Sequence, residues 1–161
     1  MIKLNNKGVF VANTMKVHQV PGFWLRCLTG LTNNSLQARL KNADAGVANA
    51  EWVVISILSE RPNISINDLA HLAGMHQAPI SRIVEKLSKK DLVLRVISVE
   101  DRRSVKVKLT QAGETLRERL SGITKKNAQD SFACLSEEEY DMFMATIKKV
   151  LKSNDFDTSG F

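Results

Sequence analysis

Apolar residues recur at helical spacing along most of the chain, and they define six segments that we predict to be helices. The first starts at Pro21 and ends near residue 42, because proline suits the first helical turn. The second starts at Asn49, which we expect to cap it, and ends before Pro62. The others are a short helix that ends at Gly74, a helix over 78–90, a long helix after Thr110 and a last helix after Ser136.

Two of these helices have local start signals. Ser65 is followed three residues later by Asp68, and Ser136 by Glu139, which is the spacing of a capping box. The helix that follows Ser65 is separated from the helix over 78–90 by a glycine, which suits a tight turn. Ala70 is small enough for two short helices to cross closely. Residues 65–90 therefore predict a helix–turn–helix.

Strand patterns replace the helical spacing on either side of residue 100. Residues 92–97 are rich in aliphatic side chains, and residues 104–109 alternate between polar and apolar ones, as a strand with one buried face does. Between them lies Asp101-Arg102-Arg103. Two arginines at the tip of a hairpin have no core to fill, but they have the charge and reach to enter a narrow DNA minor groove. The hairpin is therefore a candidate DNA-binding wing.

The charge is concentrated in the same region. The 161 residues carry a formal net charge of +6. Residues 76–110 contain nine basic and four acidic side chains, a net of +5. An evenly solvated surface does not predict such concentration, whereas an electrostatic footprint for nucleic acid does. Double-stranded DNA is therefore the expected partner.

The expected DNA contacts divide by groove. The second helix of the motif enters the major groove, where Gln77 suits adenine and Arg82 suits guanine. We expect Lys86 to contact phosphate, and Arg103 to enter the minor groove with Asp101 orienting it through a salt bridge. The complete predicted set is Gln77, Ala78, Pro79, Ser81, Arg82, Lys86, Arg95, Asp101, Arg102 and Arg103.

Several other classes of protein lack support in the sequence. Cys27 and Cys134 form no disulfide framework, so we expect a reducing cytoplasm. No apolar run approaches the ~18–20 residues that span a bilayer, and we expect neither a signal peptide nor a membrane partner. The histidines have no metal-ligand spacing, and neither a nucleophile–base pair nor a glycine-rich phosphate loop is present. We therefore expect no metal, no cofactor and no enzyme activity.

Several segments, taken in order, resemble the MarR family of bacterial regulators. They are Ser65-Ile-Asn-Asp-Leu-Ala-His-Leu-Ala-Gly74, Ile80-Ser81-Arg82-Ile83-Val84-Glu85-Lys86-Leu87, Asp91-Leu92-Val93, Asp101-Arg102-Arg103 and Leu109-Thr110-Gln111-Ala112-Gly113. The resemblance implies a mainly α fold with a two-stranded β wing, in which a winged helix-turn-helix domain joins a helical dimerisation region. It also implies a homodimer on a palindromic operator, and a repressor released by a small aromatic or phenolic acid.

The resemblance runs from about residue 21 to residue 151 and implies four parts of the chain. Residues 1–48 are expected to form an N-terminal arm and the first dimerisation helix, and residues 49–110 the winged helix-turn-helix DNA-binding domain. Residues 111–152 are expected to form the C-terminal dimerisation helices, and residues 153–161 a flexible tail. Asp91 departs from the family, which usually has glycine at that position.

The effector pocket of relatives lies between the dimer helices and the DNA-binding lobe. By position we expect Trp24, Glu51 and Trp52 to line it in this chain. Two alternative functions stay open. One is a thiol-based redox switch through Cys27, whose neighbour Arg26 would stabilise a thiolate, although a buried and inert thiol is the simpler expectation. The other is a winged helix used for protein–protein assembly.

Overall fold

The computed structural model describes residues 16–97 and 105–156, and most of them are helical. A single 3₁₀ turn, Val17–Gln19, precedes the first helix. The helices are α1 (Pro21–Asn42), α2 (Asn49–Glu60), α3 (Ile66–Leu72), α4 (Gln77–Lys89), α5 (Gln111–Ser131) and α6 (Glu137–Lys152), and the strands are β1 (Ile64–Ser65), β2 (Val93–Ile97) and β3 (Val105–Leu109). The six predicted helices are confirmed. No helix within the described ranges is long and apolar enough to cross a membrane.

The predicted capping residues start α3 and α6. The Ser65 hydroxyl accepts a hydrogen bond from the Asp68 N–H at 3.1 Å. The Ser136 hydroxyl accepts from the Glu139 N–H at 3.3 Å, and the Glu139 carboxylate accepts from the Ser136 N–H at 2.8 Å. These bonds satisfy N–H groups that have no partner inside a helix, so both start signals are confirmed.

The start of α2 differs from the prediction. Asn49 is already part of the helix, and Ala48 occupies the capping position. The Glu51 carboxylate reaches back to accept a hydrogen bond from the Ala48 N–H at 2.9 Å. The Asn49 N–H donates instead to the side-chain oxygen of Gln37 at 2.9 Å. The prediction that Asn49 caps α2 is therefore wrong, because an acceptor three residues further along does that work.

The sheet has three strands rather than the predicted two. Strands β2 and β3 form the expected antiparallel hairpin, with Arg95 opposite Val107. On the other edge of β3, the short strand β1 pairs Ile64 with Val107 and Ser65 with Lys106. The backbone of Ser65 is extended because it precedes α3, and this conformation lets it pair with β3. A two-residue strand has no period to detect, which is why the sequence pattern missed it.

The hydrophobic core lies in the middle of the chain. Within the described residues, every buried hydrophobic side chain lies between Leu36 and Leu120. The second half of α1, helices α2 to α4, strands β2 and β3 and the first half of α5 enclose this core. No residue of α6 is buried, and the first half of α1 has none either. The winged helix therefore has a core of its own, whereas α6 buries none of its side chains completely.

A tight turn after α4 brings the start of α5 against the sheet. Asp91 has a φ of 57°, in the left-handed region that favours glycine and that aspartate tolerates better than most residues. The Thr110 hydroxyl donates to the Asp91 carbonyl at 2.6 Å, and the Thr110 N–H donates to the Leu92 carbonyl at 3.1 Å. Gly113 then lies directly against the Leu92 carbonyl. Only a residue without a side chain fits this contact.

We expect Gly113→Ala to lower the free energy of unfolding by about 1–3 kcal/mol, since the new methyl group overpacks this contact. Its Cβ would collide with the Leu92 carbonyl oxygen and lie 3.3 Å from the Leu109 side chain. Gly122 of the same helix is the matched control, because a Cβ there meets nothing within 4 Å. Gly122→Ala should raise the free energy by up to about 1 kcal/mol. Urea unfolding followed by circular dichroism measures both, and equal changes would contradict the assignment.

Candidate nucleic-acid interface

Helix α4 has one buried and one exposed face. Its buried side chains Ile80, Val84 and Leu87 are all 0% exposed and hold the helix against the core. The predicted DNA contacts on this helix lie outside that stripe. Gln77, Ala78, Pro79, Arg82 and Lys86 are exposed, and Ser81 is half-buried. The spacing of four residues places Ala78, Arg82 and Lys86 along one exposed stripe.

The turn between α3 and α4 sets the direction of α4. Gly74 has a φ of 61°, and the Met75 N–H donates to the Ala70 carbonyl at 2.9 Å. Ala70 is buried in the cluster that includes residues of both helices. His76 is extended and precedes α4, whose first turn contains no acidic residue. The partial positive charge of this helix start is therefore left for an external anion.

The wing strands are bonded to α4. The Arg95 guanidinium on β2 donates to the Ser81 carbonyl at 3.2 Å. Arg95 is a predicted DNA contact of the wing, and Ser81 and Arg82 are predicted contacts on α4. The bond therefore places Arg95 beside these two neighbouring residues of the helix. Asp101, Arg102 and Arg103, the other predicted wing contacts, lie outside the described residues.

The basic side chains of α4 differ in whether they have an ion-pair partner within the protein. Lys89 pairs with Glu85 at 2.8 Å, one turn away on the same helix. Lys86 pairs with Glu51 of α2 at 2.8 Å. Arg82 makes neither a hydrogen bond nor an ion pair with any other described residue, so its planar guanidinium keeps all its donors for a ligand. Such a group suits the two acceptors of a guanine edge.

Glu51 is the buried centre of an ion cluster whose lysine side chains are partly exposed. Its side chain is 4% exposed, and it forms an ion pair with Lys86 at 2.8 Å and accepts hydrogen bonds from Lys90 and from the Ala48 N–H, each at 2.9 Å. The Lys90 ammonium also donates to the Gly46 carbonyl at 2.7 Å. We call the group of Glu51, Lys86, Lys90 and the Gly46 carbonyl the clasp. By position in the sequence, Glu51 was expected in an effector pocket. The clasp has one signal in the sequence, an acid near the start of the apolar helix α2.

The clasp determines the ionisation of Glu51. Burial by itself raises the pKa of this carboxyl group, because a charge is less stable away from water. Hydrogen bonds from Lys86, Lys90 and the Ala48 N–H outweigh burial and hold the pKa below its ordinary value of 4.5. Glu51 is therefore ionised at neutral pH.

The three predicted effector contacts do not lie together. Glu51 is held in the clasp, and Trp52 is 4% exposed within the core. Trp24 is exposed at the start of α1, where its indole N–H donates to the His18 carbonyl at 2.7 Å. Trp24 precedes Leu36, the first core residue of α1, by twelve residues, or about 18 Å of helix. None of these three residues lines the cavities described below.

A cavity of about 310 Å³ lies between α1, α5 and α6. Leu28, Phe132 and Phe143 form part of its apolar lining, and Asn127 adds a polar group. The Asn127 amide donates to the Thr32 carbonyl at 3.4 Å, while its buried side-chain oxygen has no partner among the described residues. Sequence analysis missed this cavity, because a single asparagine in a helix gives no signal of burial.

Cys27 is exposed on α1, and the expectation of a buried thiol is wrong. It lines a shallow pocket with Phe23 and Arg26 on the same helix. The helix turns its apolar core residues inward only from Leu36 onward, so position 27 stays at the surface of the single chain. Cys134 is exposed as well.

Comparison with known proteins gives a consistent result. The sequence profile of the MarR family matches residues 47–105. The HTH-type transcriptional repressor IacR of Pseudomonas putida is 30% identical over 119 residues, which cover 74% of this chain and 70% of IacR. BpsR of Bordetella bronchiseptica, whose structure describes regulation of DNA binding by 6-hydroxynicotinic acid, has a TM-score of 0.76 and 22% identity over 86% of this chain and 97% of its own.

A mutant of MarR from E. coli, solved in complex with operator DNA, has a TM-score of 0.73 and 22% identity over 81% of this chain and 92% of its own. A basic helix–turn–helix with an attached wing defines a DNA-binding protein of the winged-helix class. The chain belongs to the MarR family of transcriptional regulators, which are not enzymes. The family resemblance and the winged-helix fold are thus confirmed.

The depressed pKa of Glu51 predicts a stability that depends on pH. Its folded-state pKa lies below the unfolded value, so the carboxylate stabilises the fold above about pH 4.5 and stops doing so as the pH falls further. Glu51→Gln should cost about 1–3 kcal/mol of unfolding free energy near neutral pH, and the difference from wild type should shrink in more acidic buffer. Urea unfolding at a series of pH values measures it. A difference independent of pH would contradict the assignment.

Proposed function

We propose that the protein is a ligand-responsive repressor that binds a palindromic operator as a homodimer. The observation that carries this proposal is the exposed face of α4, where Arg82 lacks a partner among the described residues and Arg95 connects the wing to the helix. Helix α4 enters the major groove, and residues 77–82 read base edges. Arg103, oriented by Asp101, enters the neighbouring minor groove, and Arg102 contacts either a base edge or phosphate. The MarR structure with operator DNA supports this arrangement.

Exposed apolar side chains on α1 and α6 support a second copy as the partner. Trp24, Leu25 and Leu31 of α1 are 58%, 50% and 59% exposed, and Met142 and Val150 of α6 are 71% and 56% exposed. A monomer rarely leaves so many large apolar side chains in water. Residues 1–48 and 111–152 therefore form the dimerisation region, and 49–110 the DNA-binding domain. Two-fold symmetry then places two α4 helices on half-sites about one helical turn of DNA apart.

The proposed operator binding can be tested by selecting duplexes from a random library. Mobility shift then compares binding to the selected duplex with binding to a shuffled one. We expect two chains per duplex, and Arg82→Ala should weaken binding to the selected duplex by about 1–3 kcal/mol. Lys89→Ala is the matched control, since it removes one charge of the same helix that is already paired with Glu85. It should weaken binding to both duplexes by a similar and smaller factor. One chain per duplex, or equal effects of the two variants, would refute the proposal.

The effector that we propose is a small aromatic or phenolic acid, which binds at the cavity between α1, α5 and α6. The structure of BpsR with its regulation by 6-hydroxynicotinic acid supports this class of ligand. The rings of Phe132 and Phe143 suit an aromatic ligand, and the unpartnered Asn127 oxygen suits a hydroxyl donor. Trp24 precedes Leu28, which lines the cavity, by one helical turn. Of the three predicted effector contacts, Trp24 is therefore the one that we retain.

A panel of aromatic acids should contain at least one that releases the selected duplex in the mobility-shift assay. Binding of that acid should quench the exposed Trp24 and leave Trp52 unchanged, because Trp24 lies one helical turn before Leu28 of the cavity lining, whereas Trp52 is buried in the core. Fluorescence titration of Trp24→Phe and Trp52→Phe separates the two signals. Retention of the quench in Trp24→Phe would refute this location.

A further inference from the structure

The clasp connects parts of the chain that are distant in sequence. Lys86 and Lys90 lie at the end of α4, whereas Glu51 and Gly46 lie at the start of α2 and in the connection that follows α1. Three contacts of 2.7–2.9 Å join these parts: Lys86 to Glu51, Lys90 to Glu51 and Lys90 to the Gly46 carbonyl. The end of the helix that we assign to the major groove is therefore bonded to the connection that leads to α1.

These contacts are directional in a way that the core packing of α4 is not. Ile80, Val84 and Leu87 hold the helix by apolar contact, which depends on area more than on direction. Glu51 is 3% exposed, so its charge needs both ammonium groups in place. A tilt or rotation of α4 breaks charge-assisted hydrogen bonds to a carboxylate that water does not reach. The clasp therefore specifies one orientation of the helix among those that the core allows.

We propose that Glu51 is a positioning residue for DNA recognition. Through Lys86 and Lys90 it fixes the orientation of α4 relative to the α1–α2 connection, and thereby sets discrimination between DNA sequences without contacting DNA. This inference rests on the proposed function, in which α4 reads the major groove. Because α1 belongs to the proposed dimerisation region, the clasp also sets how two α4 helices face two half-sites.

The experiment measures the ratio of two dissociation constants, for a shuffled duplex and for the duplex that wild type selects from a random library. Glu51→Gln should lower this ratio by about 5- to 10-fold. The ratio is independent of the fraction of active protein, so partial unfolding of the variant does not imitate the effect. Binding to the shuffled duplex should stay the same or become tighter, because the change removes one negative charge.

Glu85→Gln is the matched control. It also removes one negative charge and breaks the exposed pair with Lys89, but it leaves the clasp intact. Its ratio should stay within about twofold of wild type. Equal ratios for Glu51→Gln and wild type would overturn the inference. Equal losses of discrimination in the two glutamine variants would also overturn it, because the change in charge alone would then explain the loss.

A second variant tests whether Glu51 acts through its lysine partner. Lys90→Met removes the ammonium group that joins Glu51 to the Gly46 carbonyl, and it should lower the ratio as well. In the Lys90→Met background, Glu51→Gln should lower the ratio by a smaller factor than it does in the wild-type background. If the two substitutions acted independently, their factors would multiply, and that result would contradict the inference. If wild type prefers no selected duplex over the shuffled one, the proposed function itself fails. If wild type discriminates and Glu51→Gln discriminates equally, only the role of Glu51 fails.

Discussion

The burial of one stripe of α4 is the constraint on which the rest of the structure depends. Ile80, Val84 and Leu87 are fully buried, and each contributes about 1.5–3 kcal/mol by leaving water. No other rotation of the helix buries the same three side chains. Their burial therefore places Ala78, Arg82 and Lys86 at the surface, and it brings Ser81 within reach of Arg95 on β2. The geometry of the face that we propose to read DNA follows from packing on the opposite side of the helix.

Burial also explains why the clasp is an unusual element of this fold. A carboxylate at 3% exposure is tolerated only when hydrogen bonds replace the water that it has lost. Glu51 has two ammonium partners and one backbone N–H, and it starts α2 with the same carboxylate. One side chain thus caps a helix, pairs two cations of α4 and fixes the connection after α1.

The distribution of apolar side chains shows that one chain completes the core of the winged helix but leaves other apolar side chains exposed. The winged helix encloses its own core, and its buried hydrophobic residues within the described ranges end at Leu120. Helix α6 has an apolar side but no buried residue, and the first half of α1 is similar. A second copy covers such faces in the arrangement that we propose, and the cavity that contains Asn127 lies among the same helices.

The sequence by itself determined the helices, two of the three strands, the capping of α3 and α6 and the family. These features depend on signals within a few neighbouring residues, such as Ser136 with Glu139, or on motifs read in order. It also identified Gly113 as part of a motif, although the Leu92 carbonyl that excludes a side chain there became visible only in the fold.

Only the tertiary structure decided the third strand, the exposure of Cys27 and the lysine partners of Glu51. Each depends on residues that are far apart in sequence: Lys90 follows Glu51 by 39 positions, and strand β1 pairs with β3 across more than 40. Contacts over such separations leave no periodic trace in the chain, because they arise from how the elements pack rather than from local backbone preference. The residues that we propose for DNA contact could therefore be named from the sequence, whereas the contacts that hold helix α4 in place could not.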